Sequence, residues 1–455
     1  MDEMIEDRTQ AGLTRALAAR AGALRYDELP APVRQTARQC VLDYLGVAIA
    51  GAQDPLVRIL LDEMTEAGGS PQSSIIGHDA RLPALSAALV NGAASHALDY
   101  DDVNMAMPGH PSVAILPGLL ALAELEGSSG REVITAFVAG YETACRIGAA
   151  LQPGHYNLGF HSTSTVGSFG AAAACARLLG LHAEATAMAL GIAGTQAAGL
   201  KSQFGTMCKP FHAGKAAQNG LLATRLAQRG FSSRTNIVEC VQGFALTHGP
   251  DFAPEAALAT PGAGFHFLAN LFKYHAACYF THAPIECARR LREEHRLTGN
   301  MIAGITVRID ASCDRVCNIP VPADGLQSKF SLRQTVAMAL AGVDTASLGS
   351  YSAENARDPS LVGLRDLVRF EWQQGWPQTL CELELELVGG RRLSARHDAG
   401  IPAADIAEQG DRLAAKFDAL VAPVLGAPRA RELREMISDL DNIADIRSLA
   451  RLAVI

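Results

Sequence analysis

Apolar positions recur along most of this chain at the three- and four-residue spacing of helices, and one region alone breaks that rhythm. Two helices are predicted between Thr9 and about Gly51, the second over residues 33–50, where Val41, Leu42, Leu45, Val47 and Ile49 form a buried side and Asp54-Pro55 closes the segment. Further helices are predicted over 88–97 and 112–126, and then over 136–151, 164–179, 183–200 and 216–229. In that last series Ala and Gly dominate, which lets helix axes approach closely and reads as one bundle. After about Asn270 the pattern alternates as strands do, over 305–309, 367–372, 380–388 and 391–396. Gly389-Gly390 between the last two gives a hairpin signal, and helices are predicted at 281–294 and 330–341. From 403 to 455 the helical spacing returns, with Leu440, Ile443, Ile446, Leu449 and Leu452 at three-residue steps. The tail is therefore expected to rejoin the first bundle. The expected fold class is mainly α: a helical domain built from 1–268 and 397–455, with an α+β domain inserted over 269–396.

Composition narrows the function. The 455 residues are 49% hydrophobic but only 5% aromatic, and a net charge of -8 gives no basic field for nucleic acid or an acidic membrane surface. An anionic substrate would have to be held by a local cluster. The ten cysteines form no CxxC pair and no short disulfide framework. The first eight residues are acidic and lack an apolar signal region, and no run reaches membrane-spanning length, so the expected compartment is the cytoplasm.

Against this Ala- and Leu-rich background one stretch stands out. His96, Asp99, Asp101 and Asp102 precede His110 on a loop between two apolar helices, where free backbone donors at the second helix's start can face an anion. A second polar stretch holds Lys201, Lys209, His212 and Lys215 and leads into a helix with Pro210 near its first turn, an arrangement that would hold a carboxylate; its alternative is a solvated Lys-rich loop. His161 opens another apolar helix, although Ser and Thr caps there are routine. Lys273, His275, Cys278 and His282 lie at the expected junction of the two domains, where clefts form, and Cys278 reads either as a small core residue or as a cleft thiol.

Other chemistries lack support. Asp99 to Asp102 also matches the D-x-D-D proton donor of some terpene cyclases, but two Trp do not line an aromatic cavity. A metal site would need a second acidic motif or an H-x-x-x-H pair, and no metal is expected. GxGxxG after a strand, GxxxxGK[ST] and GxSxG are absent. Cofactor-free acid/base chemistry remains, with the three carboxylates expected to repel one another into sharing a proton, and His110 and His161 expected to titrate near neutrality.

Taken together, these stretches resemble the MmgE/PrpD family. The likeness is carried by Asp43-Tyr-Leu-Gly46, by His96 to Asp102 with His110-Pro-Ser112, by Gly159-Phe-His161, by Phe204-Gly-Thr206 with Lys209-Pro-Phe-His212-Ala-Gly214, and by Thr281-His282. It implies an inserted α+β lid, a homodimer, no cofactor and a small di- or tricarboxylate substrate. It carries the family's pocket residues onto Asp99, His110, His161 and Lys209, expected to be catalytic, while Lys201, His212, Lys273, His275, Cys278 and His282 are expected from their own stretches to contact substrate. Val103 stands where family members commonly have Thr, the spacing to His110 is one residue longer than in the decarboxylase, and the decarboxylase's lid histidine falls near Cys278. Among the family's reactions the expectation therefore runs from a 2-methylcitrate-type dehydration, through epimerisation of an iminodisuccinate-like compound, to decarboxylation of a cis-aconitate type. A polycarboxylate-binding protein with an impaired site is the non-enzymatic alternative.

Overall fold

The computed structural model describes residues 12–455. The acidic first eight residues and the predicted helix start at Thr9 lie outside the described residues. The chain is mainly helical and divides into two units, one running through Phe272 and resuming at Ala404, the other Lys273–Ala403. The inserted unit begins at 273 rather than 269 because Leu271 pairs with Val103 backbone to backbone and Asn270 accepts from the Tyr141 hydroxyl, which binds both to the helical unit. It ends at 403 rather than 396 because the last strand runs to Asp398 and Ala399 is held by Thr379 and Tyr279.

In the helical unit, helices Ala84–His96, Pro111–Glu126, Gly130–Leu151, Ser162–Leu178 and Cys208–Gln228 pack on one another around an Ala-rich core. Their starts follow from sequence. Pro111 occupies a first-turn position, where its missing N–H is no loss, and Ser129 and Glu132 make a capping box. Backbones touch where glycines meet: a Cβ on Gly92 would lie 2.6 Å from Gly214 Cα, and one on Gly214 would lie 2.2 Å from the Leu89 carbonyl. That contact fixes the helix carrying His96 against the helix carrying Lys209 and His212.

Three local expectations change. Asp54-Pro55 does not close a segment; Asp54 caps a further helix, Pro55–Ala67, by accepting from the Leu56 N–H. The helix from Ala183 ends at Gly194 instead of 200, because the chain then turns back to pair Leu200 with Phe160. The helix predicted at 216 starts at Cys208, eight residues earlier, so Lys209 and His212 are helical.

The tail returns to the helical unit. Helix Ile406–Leu425 packs on Ala31–Gly51, and the buried Lys416 ammonium lies 2.6 Å from both Asp43 Oδ1 and the Tyr100 carbonyl. The last segment of chain thereby anchors the loop that carries the Asp cluster.

The inserted unit has a four-stranded sheet in the order Val368–Gln373, Ile302–Asp310, Leu380–Leu387, Arg392–Asp398. The first pair is parallel and the other two are antiparallel, with Ile305 facing Val368 on one side and Leu385 on the other. Alternate residues such as Ile305, Val307, Leu383 and Leu385 are buried in one core with helices His282–His295 and Leu332–Ala341, as the period-two pattern requires. Among the described residues no single helix is long and apolar enough to cross a membrane.

Candidate active site

Three helix starts supply the site. His110 is the N-cap of Pro111–Glu126, and its backbone N–H donates to Thr163 Oγ1 at 3.0 Å. His161 is the N-cap of Ser162–Leu178, and its N–H donates to the Gly199 carbonyl at 3.0 Å. Gly199 sits at φ +142°, where a Cβ would also strike Ser164, so only glycine lets this segment pass so close to the His161 helix. Lys209 lies in the first turn of Cys208–Gln228, one turn before His212. The positive ends of three helix dipoles thus meet, and they favour an anion.

Asp99 comes from the intervening loop, in the left-handed region at φ 51°, a conformation that Asp tolerates better than most residues and that clusters at functional sites. Its Oδ1 lies 2.6 Å from Lys209 Nζ and 3.8 Å from His110 Nε2. His110 Nδ1 is 2.9 Å from Asp101 Oδ2, outside hydrogen-bond alignment, and His96 Nδ1 lies 2.9 and 3.0 Å from the two Asp101 oxygens. The rings of His96 and His110 are 4.6 Å apart, those of His96 and His161 5.9 Å, and His161 Nδ1 meets His212 Nδ1 at 3.1 Å. Asp99, His110, His161, Lys209 and His212 are therefore brought together.

Burial decides the charges. It pushes the His96 imidazole down to about 4, against the pull of Asp101, and holds His161 well below the usual imidazole range with help from the neighbouring His96 and Lys209. His161 is thus a neutral imidazole at pH 7 and does not titrate near neutrality. One of the three carboxyls, Asp102, is raised as expected, but repulsion within the cluster is a lesser cause of it. Burial alone would raise Asp101, but the two imidazoles against it outweigh that and hold it well below the carboxylate range. Asp102 faces away, toward Ser112, Cys40 and Asp43, and is pushed up to about 7 chiefly by burial and next by Asp43.

The rest of the sequence-derived set is placed as follows. The Lys201 ammonium donates to the Tyr156 carbonyl at 3.0 Å and lies 3.4 Å from the centre of the Tyr156 ring, apart from the Lys209–Asp99 pair. Val103 is buried and makes its backbone pair with Leu271. In the inserted unit, buried His275 meets Thr345 Oγ1 at 2.8 Å and Glu286 Oε1 at 3.2 Å, and the His282 ring lies 5.0 Å from that of His275. Lys273 is buried in the same unit, close enough to His282 to act on its charge. Cys278 belongs to that unit's hydrophobic core, its thiol against Cys317, which is its core-residue reading.

Sequence reasoning missed the roles of His96, Asp101 and Phe204. The Phe204 ring packs edge-on to His161 at 5.0 Å and lies 5.5 Å from Lys209 Nζ. His96 at the end of one helix, five positions before Asp101, was the available signal. His96, Asp99, Asp101 and His110 bring donor atoms within 4.8 Å of one another, a spacing a divalent cation could use. The fit is poor, because the Lys209 ammonium already neutralises Asp99 and Asp101 is committed to two imidazoles.

The profile of the MmgE/PrpD N-terminal domain matches residues 15–256 and that of the MmgE/PrpD C-terminal domain matches 275–442. Among curated relatives, the cis-aconitate decarboxylase of Aspergillus terreus is 26% identical over 98% of this chain and 97% of its own length. The cis-aconitate decarboxylases of Homo sapiens and Mus musculus are 28% and 27% identical, each over 97% of this chain and over 94% and 93% of their own lengths.

Proposed function

Because the chain belongs to the MmgE/PrpD family, we propose that it is a cofactor-independent lyase that dehydrates a small citrate-like di- or tricarboxylate by removing a proton beside a carboxylate. The observation that carries this reading is one cation among unprotonated imidazoles: Lys209 paired with Asp99, beside His161 and His96 held neutral by burial. A substrate carboxylate can replace Asp99 as the partner of the ammonium, which neutralises the charge that otherwise opposes carbanion formation. A neutral imidazole then accepts the proton from the adjacent carbon, and a protonated group on the other side assists the departing hydroxyl.

Decarboxylation of a cis-aconitate-type acid is the second reading, favoured by the activity named for the relatives in Aspergillus terreus and in Homo sapiens. It begins with delivery of a proton to carbon, for which buried neutral imidazoles are poorly charged at the outset. The test is proton NMR in D2O with 2-methylcitrate, citrate and cis-aconitate. Loss of water with a new unsaturated product, seen as a vinylic proton from citrate or as the methyl doublet of 2-methylcitrate becoming an allylic singlet, supports dehydration, and CO2 release from cis-aconitate supports the second reading. Deuterium exchange at carbon with neither loss points to epimerisation. Binding without exchange in any substrate overturns an enzymatic role.

A further inference from the structure

Asp101 is the one carboxylate of the loop that faces two imidazoles. Its side chain is 1% exposed, and that of His96 is not exposed at all. His96 Nδ1 lies at hydrogen-bond distance from both of its oxygens, and His110 Nδ1 lies 2.9 Å from Oδ2. A ring nitrogen that turned its lone pair toward a carboxylate oxygen at such a distance, away from water, would face direct repulsion. Both Nδ1 atoms therefore carry hydrogen, and a ring held this way keeps its lone pair, when it has one, on Nε2. One further observation agrees. His110 Nε2 is directed toward the Lys209–Asp99 pair, where a substrate carboxylate would be held.

We infer that Asp101 is a positioning residue that sets the tautomer of His96 and His110 together, and so makes Nε2 of His110 the atom that takes the proton from substrate carbon. The C–H bond breaks, an N–H bond forms at Nε2, and the electron pair stays on carbon until the hydroxyl leaves. The imidazolium formed has N–H on both nitrogens, and Asp101 compensates its charge without moving. His96 has no access to substrate through this arrangement; it supplies the second N–H that keeps Asp101 ionised and oriented. The catalytic consequence rests on the proposed lyase reading, while the tautomers themselves do not.

The experiment is 15N NMR of the full-length, ligand-free protein labelled in histidine, with long-range proton correlations, recorded at pH 8.5 and assigned by difference against His96→Gln and His110→Gln. Nδ1–H with bare Nε2 on both residues is the expected result, and Nε2–H on His110 overturns the inference. Asp101→Asn can offer one acceptor and one donor group, so at least one of the two rings should change to Nε2–H while far-UV circular dichroism stays unchanged. In that variant turnover should fall by up to about 10⁴ with KM little altered, the scale seen when a catalytic histidine loses its orienting carboxylate. If the variant does not fold, the wild-type spectrum alone decides. A protein without lyase activity but with both Nδ1–H tautomers would refute the proposed function and leave this inference standing.

Discussion

Replacing Asp102 with Asn tests whether burial sets the charges around the site. Asp102 is completely buried, its Oδ2 accepts from Ser112, and Asp43 stands close by; burial first and that neighbour second move its carboxyl from 3.8 to about 7. A folded-state pKa raised this far means that the folded protein holds the proton more tightly than the unfolded chain. The stabilisation is fully present below pH 3.8 and is lost as the pH rises through about 7. A displacement of roughly three pH units corresponds to about 4 kcal/mol. Asn has nearly the same shape and never ionises, so it avoids that loss. Against this, Asp102 Oδ1 has no hydrogen-bond partner, and an amide nitrogen placed there would cost about 1–3 kcal/mol as an unsatisfied donor. Asp102→Asn should therefore be about 1–3 kcal/mol less stable than the parent protein at pH 4, and about 1–3 kcal/mol more stable at pH 8.5. Urea unfolding of both proteins at the two pH values, followed by far-UV circular dichroism, measures the difference. Histidines that must charge in acid affect both proteins alike and cancel. A variant-minus-parent difference with the same sign and size at both pH values would refute the assignment of a buried, proton-holding Asp102.

Lys209→Ala should weaken binding of citrate-like ligands by roughly 10- to 100-fold in titration calorimetry, the scale of one lost charge-assisted hydrogen bond. Unchanged affinity with a large fall in melting temperature would make Lys209 structural instead. His161→Ala and Asp99→Asn should each lower turnover by about 10². Since burial and the nearby Lys209 hold His161 well below 6.5, charging this ring beside His110 should lower turnover only on the acid side, and His161→Ala should lack that limb. Activity should survive exhaustive dialysis against EDTA, because Lys209 already supplies the positive charge beside Asp99; loss of activity with rescue by one divalent ion would return His96, Asp99, Asp101 and His110 to a metal reading.

The helices, the sheet and the return of the tail were legible because each depends on a period. Ile305, Val307, Leu383 and Leu385 alternate, and they are the buried face of the sheet. Helix starts at Pro111 and Ser162 were legible to within two residues because Pro at a first turn and a Ser- and Thr-rich entry are local signals. The start at Cys208 was not. Lys209, His212 and Lys215 break the apolar period, and the Gly92–Gly214 contact that packs this helix joins positions far apart in sequence. Helix Pro55–Ala67 was missed for a related reason, since an Asp-Pro pair signals an end or a start and only the side chain's acceptance from the Leu56 N–H distinguishes them.

The site shows where sequence reasoning stops and why. Asp99, Asp101 and Asp102 are neighbours in sequence, so mutual repulsion was the natural expectation, yet they occupy three environments. Asp99, turned by its left-handed backbone, pairs with Lys209. Asp101 turns to two imidazoles and ionises the more readily for it. Asp102 turns into the helical core beside Asp43, whose own charge is balanced by Lys416 from the far end of the chain. No spacing rule separates these outcomes, because the direction each carboxylate takes is set by a 14-residue loop running from Ala97 to His110 and by partners more than a hundred or even three hundred positions away. The same Lys416 ammonium that compensates Asp43 also donates to the Tyr100 carbonyl, so the residue between Asp99 and Asp101 is held from behind. With its backbone anchored there, the loop can present Asp99 and Asp101 to the helix starts while turning Asp102 into the core, and a cluster that looks uniformly acidic in sequence becomes one ion pair, one orienting carboxylate and one buried carboxyl pushed up to about 7.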